Sequence, residues 1–114
     1  QLSGPIPQEL GRLVHLQILQ LESNDFSGPI PISITNLTKM NQLFLYENQI
    51  TGPIPLELGI LLNLQELDLS NNLISGSIPG SLENITKLVV LYLFTNQIAG
   101  SIPQEIGNLM NLEF

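Results

Sequence analysis

LQILQLESNDFSGPIP, residues 16–31, is the stretch that decides the fold, because close copies of it begin at residues 40, 64 and 88. The step is 24 residues each time, and the ending alone also occurs at residues 3–7. Self-similarity at a fixed period of this length is typical of stacked repeat arrays. The sequence therefore predicts one repeat domain over residues 1–114, with units 13–36, 37–60, 61–84 and 85–108 and partial units 1–12 and 109–114.

The front half of each unit predicts a short β-strand. Between Leu19 and Leu21 the chain alternates apolar and polar residues, which is the period of a half-buried strand. One short strand cannot bury its leucine face alone, so each unit needs the next one stacked beside it. Because the strand recurs in the same direction after every coil, the stack predicts a parallel sheet over a continuous apolar interior.

The back half of each unit predicts the return path of the coil. An asparagine at a fixed position can satisfy backbone groups of a buried turn in its own and the neighbouring unit. Four such residues in register predict a ladder, formed by Asn24, Asn48, Asn72 and Asn96. The following glycine permits an unusual backbone angle, and the proline stops a long helix from forming. The isoleucine between glycine and proline is expected to point into the core, at Ile30, Ile54, Ile78 and Ile102. Aliphatic residues three apart then predict a 3₁₀ or short helical turn.

Composition excludes several classes of function. The chain has a formal net charge of −7 with only three Lys and Arg residues, so it lacks the basic surface that nucleic acid requires. No apolar run is long enough to span a bilayer, and no leader peptide opens the chain. Cysteine is absent, so disulfides say nothing about the redox compartment.

The repeated pattern L-x-x-L-x-L-x-x-N-x-[LIF]-x-G-x-I-P resembles the plant-specific class of leucine-rich repeat over the whole chain. This resemblance implies an α/β repeat: a right-handed solenoid with short parallel strands on the concave face and 3₁₀ or short helical turns on the convex side. Proteins with this repeat are mostly ectodomains of receptor-like kinases and receptor-like proteins. The resemblance therefore implies an extracellular or cell-surface recognition module without catalysis in the repeats. Any serine/threonine kinase domain would lie outside this segment.

Two departures from that family and one short motif bear on the context. The cysteine-bearing terminal caps are missing and both ends stop within a unit, so the chain is expected to be an internal piece of a longer ectodomain. Asn36-Leu37-Thr38 and Asn84-Ile85-Thr86 fit the N-x-[ST] acceptor motif for glycans, which is consistent with secretion. The two asparagines would also suit a turn without carrying glycan.

Function is expected where the units differ, which is at the strand positions flanking the inward leucines. Four of the six aromatic residues lie in these columns, at Phe44, Tyr46, Tyr92 and Phe94, and Phe114 begins the next strand in the same register. Strands two apart are separated by roughly 10 Å. The smaller residues between them predict a shallow slot with aromatic walls and an acidic, hydroxyl-bearing floor. The candidate ligand-binding residues are Gln20, Glu22, Phe44, Tyr46, Glu66, Asp68, Ser70, Tyr92 and Phe94.

The acidic side chains on this face predict a protein or peptide partner with basic and apolar residues, and a co-receptor is a further candidate partner. Two plainer interpretations stay open: the aromatics pack only on one another, and the acids serve only solubility. Other functions stay open too: a secreted inhibitor of polygalacturonase in the cell wall, a structural spacer, or a binder of sugars or ice.

Catalysis is not expected. Glu66 and Asp68 lie about 7 Å apart on an open face that would not raise the pKa of either carboxyl group for glycoside hydrolysis. The single histidine, His15, has no evident serine and aspartate partners, and no loop has calcium-ligand spacing. No cofactor or metal is therefore expected.

Overall fold

In the computed structural model, which describes residues 1–109, the partial first coil contains one strand and a 3₁₀ helix, and each later coil contains two strands and a 3₁₀ helix. The strands are β1 Ser3–Pro5, β2 Ile18–Gln20, β3 Asp25–Gly28, β4 Gln42–Phe44, β5 Gln49–Pro53, β6 Glu66–Asp68, β7 Leu73–Gly76, β8 Val90–Tyr92 and β9 Gln97–Ile98. The 3₁₀ helices are η1 Gln8–Arg12, η2 Ile32–Asn36, η3 Leu56–Ile60, η4 Gly80–Asn84 and η5 Gln104–Asn108. The predicted leucine-rich repeat solenoid is confirmed, with parallel strands on one side and 3₁₀ turns on the other.

The even-numbered strands form the predicted parallel sheet. Their order is β2-β4-β6-β8, and Leu19, Leu43, Leu67 and Leu91 stand in register across it. The last three of these leucines have no exposed surface. Each fully buried leucine contributes about 2 kcal/mol relative to an exposed one. The 24-residue period therefore sets the hydrogen-bonding register of this sheet.

A second parallel sheet, with the order β1-β3-β5-β7-β9, was not predicted. The strands β1, β3, β5 and β7 contain the glycine of the repeated ending, and β1 and β5 also contain its first proline; both residue types are poor strand formers. The glycines have φ angles between +77° and +87°, which fits the unusual backbone angle expected for them. Alignment with the neighbouring coil pairs these backbones despite their weak intrinsic preference for a strand.

The expectation for one core isoleucine is wrong. Ile30 and Ile54 are buried and Ile78 is half-buried, but Ile102 is 58% exposed. Ile6, in the first coil, is only 3% exposed although just a following coil stacks on it, so burial in this column comes from the following coil.

The asparagine ladder between coils is confirmed. In the central coil Asn72 accepts a hydrogen bond from the backbone N–H of Ile50, with its Oδ1 atom 3.0 Å from the nitrogen. Its Nδ2 donates to the carbonyl of Leu45 in the preceding coil at 3.0 Å and to that of Leu69 in its own coil at 3.2 Å. The same pattern recurs at Asn48 and Asn96. Each amide thus joins two coils: the oxygen of Asn72 pairs a backbone N–H of the preceding coil, and its nitrogen shares the Leu45 carbonyl with Asn48.

Glycine is required where two 3₁₀ helices approach closely. A Cβ atom at Gly59 would lie 2.6 Å from the backbone oxygen of Ser81 and 2.9 Å from its Cβ. We expect Gly59→Ala to lower the free energy of unfolding by about 1.5 kcal/mol, because the backbone of η4 must shift. Urea unfolding measures this change. Gly107→Ala is the matched control, since no described atom lies within 4 Å of its added Cβ. Equal effects of the two substitutions would contradict the close approach.

Candidate functional site

The candidate site lies on the outward surface of the β2-β4-β6-β8 sheet, which we call the strand face. Strand pairing aligns one row along this face, formed by Gln20, Phe44, Asp68 and Tyr92. Backbone hydrogen bonds continue the alignment past the strand ends, as from the Leu45 N–H to the Asp68 carbonyl at 2.9 Å. They align a second row, formed by Glu22, Tyr46, Ser70 and Phe94. The period-2 alternation of each strand places both rows opposite the leucine interior.

Two aromatic pairs occupy this face. The ring centroids of Phe44 and Tyr46 lie 6.3 Å apart at an interplanar angle of 60°. Those of Tyr92 and Phe94 lie 5.8 Å apart at 53°. Both are geometries that aromatic side chains favour. Phe94 is 57% exposed and the other three rings are half-buried, so none of them belongs to the leucine interior.

The strand β6 lies between the two aromatic pairs and carries Asp68. The Oδ1 atom of Asp68 accepts hydrogen bonds from the hydroxyl of Ser70 at 2.6 Å and from its backbone N–H at 3.0 Å. These two bonds fix the orientation of the carboxylate. The other oxygen, Oδ2, is not used in that pair of bonds.

The structure corrects the expected hydroxyl-bearing floor. Ser70 is only 1% exposed, so a partner cannot reach its hydroxyl group. The side chain is small, and the larger Tyr46 and Phe94 stand on either side of it in its row. Its hydroxyl instead positions Asp68, which is half-buried. The surface between the aromatic pairs is therefore acidic.

The strand face also carries Glu22, Glu47 and Glu66. Gln42 donates to Glu66 Oε1 at 2.9 Å, and Ser23 donates to Glu47 Oε2 at 2.7 Å. The Oε2 atom of Glu22 is buried and has no hydrogen-bond partner among the described residues. Two of these carboxylates thus accept hydrogen bonds from uncharged side chains.

The basic residues lie elsewhere. Arg12 ends η1, on the opposite side of the coil from the strand face. Lys39 lies 3.2 Å from the ring nitrogen Nδ1 of His15, and Lys87 donates to Asn63 at 2.9 Å, all on the segment that leads into the strands. The strand face has no basic residue to balance its acids, as the sequence predicted.

These surroundings affect the titration of Tyr46. Partial burial, followed by the negative charges of Glu22, Asp68 and Glu47, raises the pKa of its phenol above the ordinary value of 10.0. The neutral phenol is favoured in the folded chain, so this group reduces stability as the pH rises from the unfolded pKa through the folded one. Below the unfolded pKa it has no such effect.

A spectrophotometric titration tests this shift. In a Tyr92→Phe background Tyr46 is the only tyrosine, and we expect its absorbance near 295 nm to change at a higher pH than in unfolded chain. Adding Glu22→Gln removes one of the negative charges, and the midpoint should then fall. A midpoint unchanged by Glu22→Gln would show that the carboxylate does not act on the phenol.

Other predicted positions fall as follows. Gln20 is exposed at the end of β2, and Glu66 begins β6. Asn36 and Asn84 are exposed at the ends of η2 and η4, away from the strand face. Phe114 lies outside the described residues.

Sequence reasoning missed an aliphatic strip on the 3₁₀ side, formed by Ile32, Leu56, Ile60 and Leu62. A signal was present in the sequence, since Ile60 stands in a column whose other members are polar.

The described residues contain no group of three or more acidic or histidine side chains placed to hold a metal ion. No helix among them combines the length and apolar character needed to cross a membrane.

Comparison with known families identifies the repeat. The family described as Leucine Rich repeats (2 copies) matches residues 62–108, and the family Leucine Rich Repeat matches residues 15–37. Receptor-like protein 41 of Arabidopsis thaliana is 42% identical over 43 residues, which are 38% of this chain and 5% of that protein.

Solved structures agree over nearly the whole chain. The ectodomain of the Arabidopsis thaliana receptor kinase GASSHO1/SCHENGEN3, solved with CASPARIAN STRIP INTEGRITY FACTOR 2, matches with a TM-score of 0.93 and 40% identity. The match covers 96% of this chain and 13% of that one. The ectodomain of the Arabidopsis receptor kinase HAESA, solved with an extended IDA peptide hormone, matches with a TM-score of 0.93 and 38% identity over 96% of this chain and 18% of that one.

The chain spans a small part of the length of each of these relatives. The repeat pattern, the two parallel sheets and these matches lead to one conclusion. The chain belongs to the leucine-rich repeat family, in the plant form found in receptor-like proteins and receptor kinase ectodomains.

Proposed function

We propose that the strand face recognises a protein or peptide that presents a basic side chain flanked by apolar ones. The observation that carries this proposal is the Asp68 carboxylate, oriented by Ser70 and placed on the strand between two aromatic pairs. A guanidinium or ammonium group over Asp68 would gain a charge-assisted hydrogen bond and contact with aromatic ring faces. Apolar neighbours in the ligand would pack on Phe44 and Phe94.

Charge on the strand face supports the same class of ligand. Glu22, Glu47 and Glu66 lie on or beside the same face as Asp68, and no Lys or Arg of the described residues lies on it, so the face attracts cations from solution. An acidic excess that served only solubility would not need to surround the exposed aromatic residues.

The relatives support a peptide or protein as partner and an extracellular location. The ectodomain of the receptor kinase GASSHO1/SCHENGEN3 was solved with CASPARIAN STRIP INTEGRITY FACTOR 2, and that of HAESA with a peptide hormone. By analogy, we assign this segment to the cell surface, as part of a receptor ectodomain that acts by binding rather than by catalysis. A co-receptor as second partner is part of the same proposal.

Peptide display tests the recognition proposal. A library of random nonapeptides is panned against the wild-type chain, with depletion on a Phe44→Ala/Tyr92→Ala double variant. Both aromatic residues are half-buried on the strand face, so the variant should retain its fold, which circular dichroism checks. We expect recovered peptides to be enriched in arginine or lysine between apolar residues.

The outcomes separate the competing functions. Equal recovery on both proteins, or enrichment of acidic peptides, would overturn the proposed site. A spacer would yield no specific peptides at all. A polygalacturonase inhibitor would bind and inhibit that enzyme in a direct assay.

A further inference from the structure

The 3₁₀ side of the chain carries an aliphatic strip that solvent reaches. Leu56 is 65% exposed, Ile60 58% and Leu62 54%, all in the coil of η3, and Ile32 of the preceding coil is exposed beside them. The η3 side chains line a shallow hollow of about 670 Å³ whose wall also includes Asn84. Contiguous apolar surface of this kind is rare on soluble proteins unless something covers it.

The repeat places two glycan acceptor motifs on either side of this strip. The last residue of successive 3₁₀ helices is Arg12, Asn36, Ile60 and Asn84. Asn36 and Asn84 therefore lie one coil before and one coil after Ile60, a distance on the order of 5–10 Å across packed coils. The coil between the two acceptors is the one that exposes the strip.

Both acceptor sites have the local structure that a glycan needs. Asn36, Thr38, Asn84 and Thr86 are exposed, whereas the middle residues Leu37 and Ile85 are fully buried. The core thus anchors each motif and leaves the acceptor amide outside. Neither acceptor amide makes a hydrogen bond within residues 1–109. By contrast, the exposed amide of Asn63 donates to the carbonyl of Thr38 at 3.0 Å.

We propose that N-linked glycans on Asn36 and Asn84 fold over the strip of Ile32, Leu56, Ile60 and Leu62 and cover it. A pyranose ring has a C–H face that packs on aliphatic side chains and a hydroxyl rim that stays hydrated. Asn84 itself lines the hollow, so its first sugar residues reach Leu56, Ile60 and Leu62 without spanning a gap. The glycans would keep this side from self-association and leave the strand face as the open surface. The inference rests on the extracellular location proposed above and is independent of the strand-face ligand.

Stepwise deglycosylation tests this cover. The chain is secreted from cultured animal cells under a mannosidase inhibitor, so that its glycans are uniform and removable, and peptide mapping by mass spectrometry reports occupancy. Peptide N-glycosidase F then removes the whole glycan from the folded chain. We expect occupancy at both acceptors, and removal should raise the fluorescence of a hydrophobic dye about threefold or more and promote dimers in sedimentation.

Two sets of variants assign the effect to the strip. Thr86→Ala, which loses the second acceptor motif, should reproduce part of the dye signal without enzyme treatment, whereas Thr86→Ser keeps the motif and should not. In a Leu56→Gln/Ile60→Ser/Leu62→Gln variant, deglycosylation should no longer change the dye signal, because the three substituted side chains are exposed and the fold does not depend on them.

Three results would overturn the proposal. The first is that Asn36 and Asn84 carry no glycan, and the second is that the dye fluorescence does not change when the glycans are removed. The third is that the fully glycosylated chain forms dimers and that the triple variant abolishes them. The last would show that a second copy covers the strip. Peptide binding at the strand face is unaffected by all three, so failure here is distinct from failure of the proposed function.

Discussion

Asn72→Ala is expected to lower the free energy of unfolding by about 4 kcal/mol. The Asn72 side chain is 6% exposed and lies in the middle of the ladder. Alanine would leave the Ile50 N–H of the preceding coil without a partner, and it would remove the hydrogen bonds that Nδ2 donates to the carbonyls of Leu45, Leu69 and Ser70. Water cannot replace the amide there; a buried unpaired N–H costs about 1–3 kcal/mol, and each lost hydrogen bond adds about 1 kcal/mol. Urea unfolding, with the slope checked against wild type, measures the loss.

The ladder provides its own control at Asn24. Its Oδ1 accepts a 2.9 Å hydrogen bond from the Leu2 N–H at an exposed position, and its Nδ2 bonds only to carbonyls of its own coil. Since water can reach these groups, Asn24→Ala should cost about 1 kcal/mol. Equal losses at Asn24 and Asn72 would show that the amide is needed only to form the turn and does not join the coils.

The sequence predicted those parts of the fold that depend on comparing equivalent positions. Leu19, Leu43, Leu67 and Leu91 recur every 24 residues and were correctly assigned to one buried column. The asparagine ladder followed from its position at the strand exit. In both cases a local propensity and the repeat period favour the same structure, so the prediction is well determined.

The second sheet escaped prediction because its cause is not local. Glycine and proline disfavour strands, and only the stacking of neighbouring coils pairs the segments around Gly28 and Gly52. The exposure of Ile102 is similar in kind, since it depends on whether another coil covers that side chain.

Side-chain detail at the candidate site was predictable only in outline. The alternation of β4 and β8 placed Phe44 and Tyr92 on one face, and the structure agrees. Whether Ser70 would be open to a ligand depends on how the side chains around it pack, which spacing does not determine. Its burial turns a candidate contact into a positioning group for Asp68. Which of these side chains a ligand touches stays a prediction.

The electrostatic part of the proposed recognition is isolated by Asp68→Asn. Asparagine keeps the size of the side chain and an oxygen that can accept from Ser70, so we expect the fold to be retained. Loss of the charge should weaken binding of an arginine-containing peptide from the display experiment about 50-fold, or ~2.3 kcal/mol, which is typical of a charge-assisted hydrogen bond. Titration calorimetry at two salt concentrations measures the affinity.

A matched peptide and a matched variant complete this experiment. Replacing the arginine of the peptide with citrulline removes its charge while keeping its shape, so Asp68→Asn should affect the citrulline peptide little. Glu66→Gln removes a charge from the neighbouring row, where Gln42 already donates to the carboxylate, and should weaken the arginine peptide only about 2–3-fold. The wild-type and Asp68→Asn chains and the arginine and citrulline peptides together form a double-mutant cycle, which gives the interaction energy between Asp68 and the arginine. If Asp68→Asn weakens the binding of both peptides equally, or of neither, the carboxylate between the aromatic pairs does not bind the basic side chain. Only the aromatic contacts would then remain as the basis for binding.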